Sequence, residues 1–328
     1  MADIAALAGV SVSSVSRALA GSPLIPHSVR EKITAIAEEN GYVVNQAARN
    51  LRLQTTRTIG LVLPMGHETG QQVTDPFLLE LIGHLSEAVF KRGYDLLMSK
   101  NPAPREGWLK DLVQSHRFDA MLVLGQSDQH AQINALADKY PPMVVWGERL
   151  SDQTYCSVGV DNIYGGRLAT EHLLGRGRTQ ILFLGPTQVP EVSSRLQGYK
   201  LALTEAGAPL RPGQIVEAHF TYDSAYRTVR DLLTSRRKFD AIFCASDVIA
   251  LAAITALTEG GRKVPDDVAI CGFDDVAMAK SMTPPLTTIK QDLRMGAQIM
   301  VDLLFQRLGG GKTSSAVIPA SLIVRAST

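Results

Sequence analysis

The sequence predicts a mixed α/β protein, in which an all-α helix-turn-helix headpiece precedes a larger, two-lobed and doubly wound α/β domain. Residues 1–57 hold only short helix-like segments, whereas from Ile59 onward continuous apolar runs alternate with helix-length stretches. The length of 328 residues fits two to three domains. With 45% apolar and 20% charged residues, the composition is that of a soluble globular protein.

Charge and cysteine content restrict the compartment and the partners. The net charge of +1 does not by itself indicate a nucleic-acid partner, although residues 1–57 carry a mild basic excess. Cys156, Cys244 and Cys271 are widely spaced and lie mostly in apolar runs, which predicts buried free thiols. No apolar run approaches the length of a membrane span, and the N-terminus lacks a basic signal region. We therefore expect a cytoplasmic protein with no membrane partner.

The first helices of the headpiece are predicted from capping residues. Asp3 can cap a helix over Ile4–Ala8 that Gly9 ends, and Ser11 can cap a second helix over Val12–Leu19. A third, amphipathic helix follows and stops near Gly41.

The pattern of the first two helices is typical of a helix-turn-helix. We expect the first to pack through Ile4, Leu7 and Ala8, and the second through Val15, Ala18 and Leu19. The second helix would then present Val12, Ser13, Ser14 and Arg17 outward, where serine hydroxyls can contact phosphates and arginine can contact a guanine edge. A small helical bundle without DNA shows the same pattern, so the pattern alone leaves both interpretations open.

Apolar runs after the headpiece predict strands that are buried on both faces. They are Ile59–Leu63, Tyr94–Met98, Ala120–Leu124, Met143–Trp146, Ile181–Leu184, Ala241–Cys244 and Val268–Cys271, and a last strand is expected at Ser321–Arg325. More than eight strand candidates over about 270 residues favour two doubly wound units.

Motifs of enzymes and metal sites are not found. The sequence has no G-x-S-x-G elbow, no G-x-G-x-x-G after a strand and no clustered metal ligands, and His67-Glu68 has no second histidine at helical spacing. Asp274 and Asp275 are adjacent, so their carboxyls are expected to point apart. We predict no catalytic residues, no cofactor and no metal.

Residues Asp3 to Leu19 read D-I-A-A-L-A-G-V-S-V-S-S-V-S-R-A-L and strongly resemble the N-terminal signature of the lactose-repressor (LacI/GalR) family. The resemblance continues through Arg30–Ile33, Glu39–Val43 and Asn45–Leu51, and it covers essentially the whole chain. It implies a sequence-specific DNA-binding transcription regulator, a repressor of sugar uptake or catabolism genes, whose operator affinity is controlled by a small sugar-like effector.

The resemblance also implies a domain plan. Residues 1–44 would form the headpiece, 45–57 a hinge helix and linker, and 58–328 an effector-binding and dimerisation domain of the periplasmic-binding-protein type. Its N-lobe would comprise about 58–157 and 289–316, and its C-lobe about 158–288 and 317–328.

The residues expected to contact DNA lie in the reading helix and in the hinge. In the family a hinge leucine wedges between base pairs in the minor groove, which here corresponds to Leu51; packing on the next domain is the alternative for this residue. The predicted DNA-binding residues are Ser11, Val12, Ser13, Ser14, Arg17, Asn45, Ala48 and Leu51.

The residues expected to bind the effector follow predicted strands or match family positions. Carboxylates and amides suit hydroxyl groups, arginine offers fixed donors, and aromatic rings suit a sugar face. For Asp75 a plain N-cap is an equal alternative, and for Trp146 core packing is. The predicted ligand-binding residues are Asp75, Phe77, Trp146, Arg195, Phe220, Ser246, Asp274 and Gln291.

Departures from the family pattern leave details open. Val44 stands where a proline is common, Ser246 where an asparagine is usual, and Val12-Ser13 is smaller than the pair of some relatives. Met1 lies almost at the start of the first helix, earlier than is usual in the family. The operator sequence and the particular sugar therefore stay open.

The expected partners are palindromic operator DNA, a neutral mono- or disaccharide and a second copy of the chain. The lack of a heptad-patterned tail favours a homodimer over a tetramer. Induction and co-repression would use the same domains and residues, so the sequence does not decide whether the effector lowers or raises operator affinity. The alternative function is a periplasmic-type sugar-binding protein without a regulatory role, which would need a signal peptide and no reading helix.

Overall fold

The computed structural model describes residues 1–19, 21–42, 55–65, 71–101, 105–208, 210–235 and 237–328. The chain divides into two compact units, Met1–Thr56 and Arg57–Thr328. The first unit is helical and the second is α/β, so the predicted fold class is confirmed.

Three helices form the described part of the headpiece: α1 (Ala2–Ala8), α2 (Val12–Leu19) and α3 (His27–Glu39). Gly9 ends α1 in the left-handed region, with φ of 71°, which permits the tight turn into α2. The core of the unit is made of small and β-branched side chains from all three helices: Ile4, Ala5, Ala8, Val15, Ala18, Ile33 and Ala37.

Two details of the headpiece differ from the sequence prediction. Helix α1 begins at Ala2, so Asp3 lies in its first turn and does not cap it, although a carboxylate there still complements the helix dipole. Leu7 is 58% exposed and does not pack, because Ala5 faces the core beside Ile4 and Ala8. The predicted cap of α2 is present, since the backbone N–H of Ser14 donates to Ser11 Oγ at 3.1 Å.

The second unit contains two parallel sheets with helices between their strands. Its strands are β1 (Thr58–Pro64), β2 (Asp95–Asn101), β3 (Ala120–Leu124), β4 (Met143–Trp146), β5 (Cys156–Val160), β6 (Ile181–Leu184), β7 (Ile215–Val216), β8 (Ala241–Cys244), β9 (Ala269–Asp274), β10 (Thr287–Lys290), β11 (Ala316–Ile318) and β12 (Ser321–Ile323). Its helices are α4 (Pro76–Phe90), α5 (Trp108–Gln114), α6 (His130–Ala137), α7 (Asn162–Gly175), α8 (Pro190–Glu205), α9 (Tyr222–Thr234), α10 (Asp247–Glu259) and α11 (Leu293–Leu308), with a 3-10 turn at Ala277–Ser281.

The first sheet has the order β11-β5-β4-β3-β1-β2 and the second the order β12-β10-β9-β8-β6-β7. All ladders are parallel except that of β10 with β12. In the first sheet, Leu61 and Leu122 belong to the same core cluster as helices α4 and α11, while Val62 and Val123 pack with α5 and α6 on the other face. Burial of both faces explains why these strands read as continuous apolar runs.

The chain passes between the two sheets later than the sequence suggested. The predicted lobe boundaries at 157/158, 288/289 and 316/317 cut through β5, β10 and β11, but each of these strands pairs within one sheet only. The crossings therefore follow Val160, Lys290 and Ile318, because the ladder hydrogen bonds of a strand hold it to a single sheet.

Helices α7 and α8 pack at glycine positions. A Cβ added at Gly166 would lie 2.1 Å from the carbonyl oxygen of Arg195, and one added at Gly198 would lie 2.0 Å from that of Ile163. Both distances are far below van der Waals contact, so a methyl group would force the helices apart.

We expect Gly198→Ala to lower the free energy of unfolding by about 1–3 kcal/mol, because overpacking a rigid interface costs that much. Urea denaturation measures the effect. Gly83→Ala is the matched control, since Gly83 is exposed on α4 with no heavy atom within 4 Å of the added Cβ. This control should be neutral or stabilising by up to about 1 kcal/mol; equal losses in the two variants would contradict the packing argument.

Among the described residues no single helix is long and apolar enough to cross a membrane; α1 and α2 reach that length only together, and they are bent by 95°.

Candidate functional site

The outward face of α2 carries the residues predicted to contact DNA. Val12 is 47% exposed, Ser13 and Arg17 are exposed, and Val15 and Ala18 face the core. The structure thus gives α2 one packed side and one solvent side, as a reading helix requires.

The start of α2 presents linked hydroxyl groups. Ser11 Oγ lies 2.8 Å from Ser13 Oγ and 2.9 Å from Ser14 Oγ, within hydrogen-bond distance of both. Hydroxyl groups and backbone N–H groups at a helix N-terminus suit phosphate oxygens and base edges. Arg17 extends this surface by one turn with a bidentate donor. The hinge residues Asn45, Ala48 and Leu51 lie outside the described residues.

A second candidate site is a cleft in the α/β unit. It encloses about 740 Å³ of space, including its open mouth. Pro64, Leu124 and Trp146 line it from the ends of strands in the first sheet, and Ser246 and Asp274 from the second sheet. Carboxyl ends of parallel strands are where α/β proteins bind ligands.

Seven of the eight predicted ligand-binding residues line this cleft, brought together from segments far apart in sequence. They are Asp75, Phe77, Trp146, Arg195, Phe220, Ser246 and Asp274. Gln291 does not line it; its Nε2 donates to Asp274 Oδ1 at 2.7 Å, so it stands behind that carboxyl.

Asp75 caps a helix and also lines the cleft, the two roles that the sequence left as equal alternatives. Its Oδ1 accepts the backbone N–H groups of Phe77 at 3.0 Å and Leu78 at 3.3 Å, which caps α4. The same residue lines the cleft, and burial raises the pKa of its carboxyl despite those hydrogen bonds and one from Gln71.

Phe77 and Trp146 form one aromatic wall, with ring centroids 6.1 Å apart and planes tilted by 56°. Trp146 is 5% exposed, and a Cβ at Gly296 would lie 2.4 Å from its ring, so α11 covers one side of the indole. Trp146 therefore packs in the core and still contributes to the lining, while Phe220 is half-buried at the cleft.

Arg195 is a buried cation with defined partners. Its Nε donates to Asn162 Oδ1 at 2.8 Å, its Nη1 donates to the carbonyl oxygen of Ala245, and its Cζ lies 3.7 Å from the ring centroid of Phe273. Nη1 is also 3.9 Å from Asp274 Oδ1. Burial lowers the pKa of the guanidinium, and the surrounding carboxyls oppose that shift.

Asp274 ends β9 with φ of 124°, a strained conformation for a residue other than glycine. Burial raises the pKa of its carboxyl to about 7, against the opposing effects of Arg195 and the Gln291 hydrogen bond. Its neighbour Asp275 pairs with Arg325, so the two adjacent carboxyls do point apart, as expected.

Ser246 and Asp247 support the site from the start of α10. Ser246 Oγ accepts the backbone N–H of Ile249 at 3.3 Å, so this departure from the family pattern caps the helix and also lines the cleft. Asp247 is fully buried; it accepts from the Thr288 hydroxyl and from the backbone N–H of Val276 at 3.0 Å. Burial raises the pKa of Asp247 well above its usual range.

Sequence reasoning missed several lining residues, among them Gln71, Ser127 and Glu191. Burial raises the pKa of the Glu191 carboxyl, which lies on α8 one turn before Arg195. The available signal was its place at the start of the helix after β6, where a loop at a strand's carboxyl end meets the cleft. No cluster of metal-ligating side chains occurs in the part of the chain that the structure describes.

A helix-turn-helix headpiece whose second helix has an exposed polar face, followed in the chain by a two-lobed α/β unit with a polar cleft, is typical of ligand-controlled DNA-binding regulators. Comparison with known families agrees. The lacI family of bacterial regulatory proteins matches residues 1–45, and the periplasmic binding protein-like domain matches residues 170–328.

Individual relatives span nearly the whole chain. The HTH-type transcriptional regulator CelR of Thermobifida fusca is 33% identical over 99% of this chain and 96% of that protein, and the ribose operon repressor of Escherichia coli (strain K12) is 30% identical over 94% and 92%. Among solved structures, the lac repressor dimer bound to operator and the anti-inducer ONPF has a TM-score of 0.85 at 26% identity, covering 99% of this chain and 97% of that one. The CelR-cellobiose complex has a TM-score of 0.74 at 31% identity, covering 99% and 98%. The chain belongs to the LacI family of bacterial DNA-binding transcription regulators.

Proposed function

We propose that this regulator is a homodimeric repressor of sugar uptake or catabolism genes, which binds a palindromic operator and releases or grips it in response to a neutral mono- or disaccharide in the cleft. The cleft chemistry is the observation that carries the effector class. Hydroxyl-accepting carboxyls, one oriented guanidinium and aromatic walls line a single cleft.

The charges of the cleft favour a neutral ligand. Asp75, Glu191 and Asp274 line it together with Arg195, and two nitrogens of that guanidinium already have protein partners. A phosphate or carboxylate would face three carboxyls for one cation, and like charges at short range in a buried site repel strongly. Sugar hydroxyls instead donate to the carboxyls and accept from arginine.

Operator symmetry follows from the proposed dimer. Helix-turn-helix dimers place two reading helices in successive major grooves, so their sites repeat with two-fold symmetry. The lac repressor, a relative of this chain, was solved as a dimer bound to its operator. That structure supports a dimer on a two-fold symmetric operator here.

Thermal unfolding against a panel of mono- and disaccharides, sugar phosphates and nucleobases tests the effector class. A ligand that binds only the native state stabilises it by mass action and therefore raises the midpoint of thermal unfolding. At a ligand concentration of one hundred times the Kd, the free energy of unfolding increases by about 2.7 kcal/mol. Cellobiose and ribose are the first compounds, because CelR was solved with cellobiose and another relative is named for ribose. Stabilisation by a phosphate ester or a nucleobase but by no sugar would contradict the proposal; adding the active sugar to an operator-binding assay then separates induction from co-repression.

Effector affinity should fall as the pH drops below about 7. Burial raises the pKa of Asp274 to about 7; the charge of Arg195 opposes that shift and the charge of Asp75 adds to it, while hydrogen bonds from the Gln291 side chain and the Asp247 backbone N–H favour the ionised form. A carboxylate accepts ligand hydroxyls with all its lone pairs, whereas its protonated form does not, so affinity is full above that pH and decreases by up to about tenfold per unit below it. Calorimetric titration at pH 5.5 to 8.5 measures the slope, and Asp274→Asn should flatten it.

A further inference from the structure

The orientation of Arg195 is set by a side chain at the junction of the two lobes. Asn162 uses both ends of its amide: Oδ1 accepts from Arg195 Nε at 2.8 Å, and Nδ2 donates to Glu148 Oε2 at 2.7 Å. Asn162 is only 2% exposed, so water cannot replace either hydrogen bond, and the loss of one would leave a buried polar group without a partner.

These three residues come from different parts of the fold. Glu148 follows β4 of the first sheet, Asn162 is the first residue of α7 just beyond the crossing from β5, and Arg195 lies on α8 of the second lobe. The backbone of Glu148 is itself held, because its N–H donates to Gln126 Oε1 at 2.9 Å and its carbonyl accepts from Gln126 Nε2. A continuous set of hydrogen bonds therefore runs from the loop after β3 to the cleft cation.

A hydrogen bond is needed here because the other main contact does not fix the guanidinium in its plane. Arg195 stacks on Phe273 with Cζ 3.7 Å from the ring centroid, and cation–π attraction depends on distance from the ring face. A stacked guanidinium can therefore turn within its plane at little cost, whereas directional bonds at Nε and Nη1 hold the remaining nitrogen in one direction.

We propose that Asn162 is the positioning residue for Arg195, and that Glu148 anchors this amide to the first lobe. Where Arg195 points is then decided by both lobes at once. The inference rests on the proposed function only in taking Arg195 as an effector contact; the geometry of the three side chains stands without a ligand.

The first test uses the ligand-free protein. A ¹⁵N–¹H spectrum of arginine side chains should show a slowly exchanging Nε–H resonance that disappears in Arg195→Lys, which assigns it. Asn162→Ala should shift this resonance and speed its exchange with solvent by about tenfold or more, as expected for the loss of a hydrogen bond from a charged donor. An unchanged resonance and exchange rate in a folded Asn162→Ala protein would overturn the proposal.

A swap of polarity separates positioning from simple packing. Asn162→Asp alone places a second carboxyl against Glu148, so the anchor is lost. Glu148→Gln together with Asn162→Asp restores it, because the new amide donates to the new carboxylate, which still accepts from Arg195, and the net charge of the pair is unchanged. We expect the double variant to recover the protected resonance that Asn162→Asp weakens; no recovery would overturn the role of Glu148.

Binding of cellobiose, or of the sugar that stabilises the wild type most, provides the second measurement. The affinity of Asn162→Ala should be roughly 10- to 100-fold weaker, with the double swap close to wild type. A wild-type protein that binds no sugar would count against the proposed effector class, whereas a normal sugar affinity in Asn162→Ala would count against the positioning role.

Discussion

Replacing Arg17 with alanine is expected to abolish most of the specific operator affinity. The residue is exposed on the outward face of α2, and a bidentate arginine contact to guanine is worth about 1–3 kcal/mol of discrimination per copy. Two copies act in the proposed dimer, so the loss should be about 2–6 kcal/mol, or roughly 30-fold to more than 10⁴-fold, if the contributions add. An operator selected from random DNA and a titration by fluorescence anisotropy provide the measurement.

Arg17→Lys is the matched control for charge. It keeps the positive charge but loses the planar pair of donors, so non-specific binding and its salt dependence should be retained while discrimination falls. Binding of the effector to the free protein should not change in either variant, because Arg17 belongs to the first compact unit whereas the cleft lies in the second. If Arg17→Ala bound the operator with wild-type affinity, the prediction that α2 contacts the operator bases would be wrong.

Replacing Asp274 with asparagine is expected to abolish the response to the effector. The amide can still accept the Gln291 hydrogen bond, so local packing is kept, but it no longer offers an anionic acceptor to ligand hydroxyls. Hydrogen bonds to a charged group are worth about 1.5–3 kcal/mol each, so losing two costs about 3–6 kcal/mol, or roughly 150-fold to more than 10⁴-fold in affinity. Calorimetry with the sugar found by thermal unfolding measures this.

Asp275→Asn is the matched control, because Asp275 pairs with Arg325 and does not line the cleft. It should bind the effector with close to wild-type affinity. Ligand-free Asp274→Asn should still bind operator, and it should be at least as stable as the wild type at pH 8. The reason is that burial raises the pKa of Asp274 to about 7, so the ionised carboxyl weakens the folded state above that pH. An intact response to the sugar would show that the cleft carboxyl is not the effector contact.

The fold was largely predictable because its signals are local. Continuous apolar runs predicted β1, β3, β4, β6 and β8, since a strand covered on both faces has no polar side to alternate. The cap at Ser11 and the turn at Gly9 were equally local, because each depends on residues within one turn. Leu7 was wrongly assigned to the core. Which face of a short helix is buried depends on the angle at which its neighbours pack.

The candidate site was predictable as a set of loops but not as a geometry. Asp75 and Asp274 follow predicted strands, where ligands of α/β proteins bind, whereas Arg195 was assigned from the resemblance to the LacI family. That Gln291 stands behind Asp274, while Glu191 reaches the lining, depends on distances across the cleft. No period or spacing in the sequence encodes such distances.

The sequence by itself determined the two kinds of unit, the exposed face of α2 and the segments from which the cleft is built. These follow from hydrophobic periodicity and capping, which act over a few residues. Only the tertiary structure decided where the chain crosses between the sheets, how Asp75 can cap a helix and face a ligand, and how Asn162 joins Arg195 to Glu148. The physical reason is that sheet order and helix packing bring together side chains from different elements of the chain, and burial then sets their hydrogen bonds and pKa values.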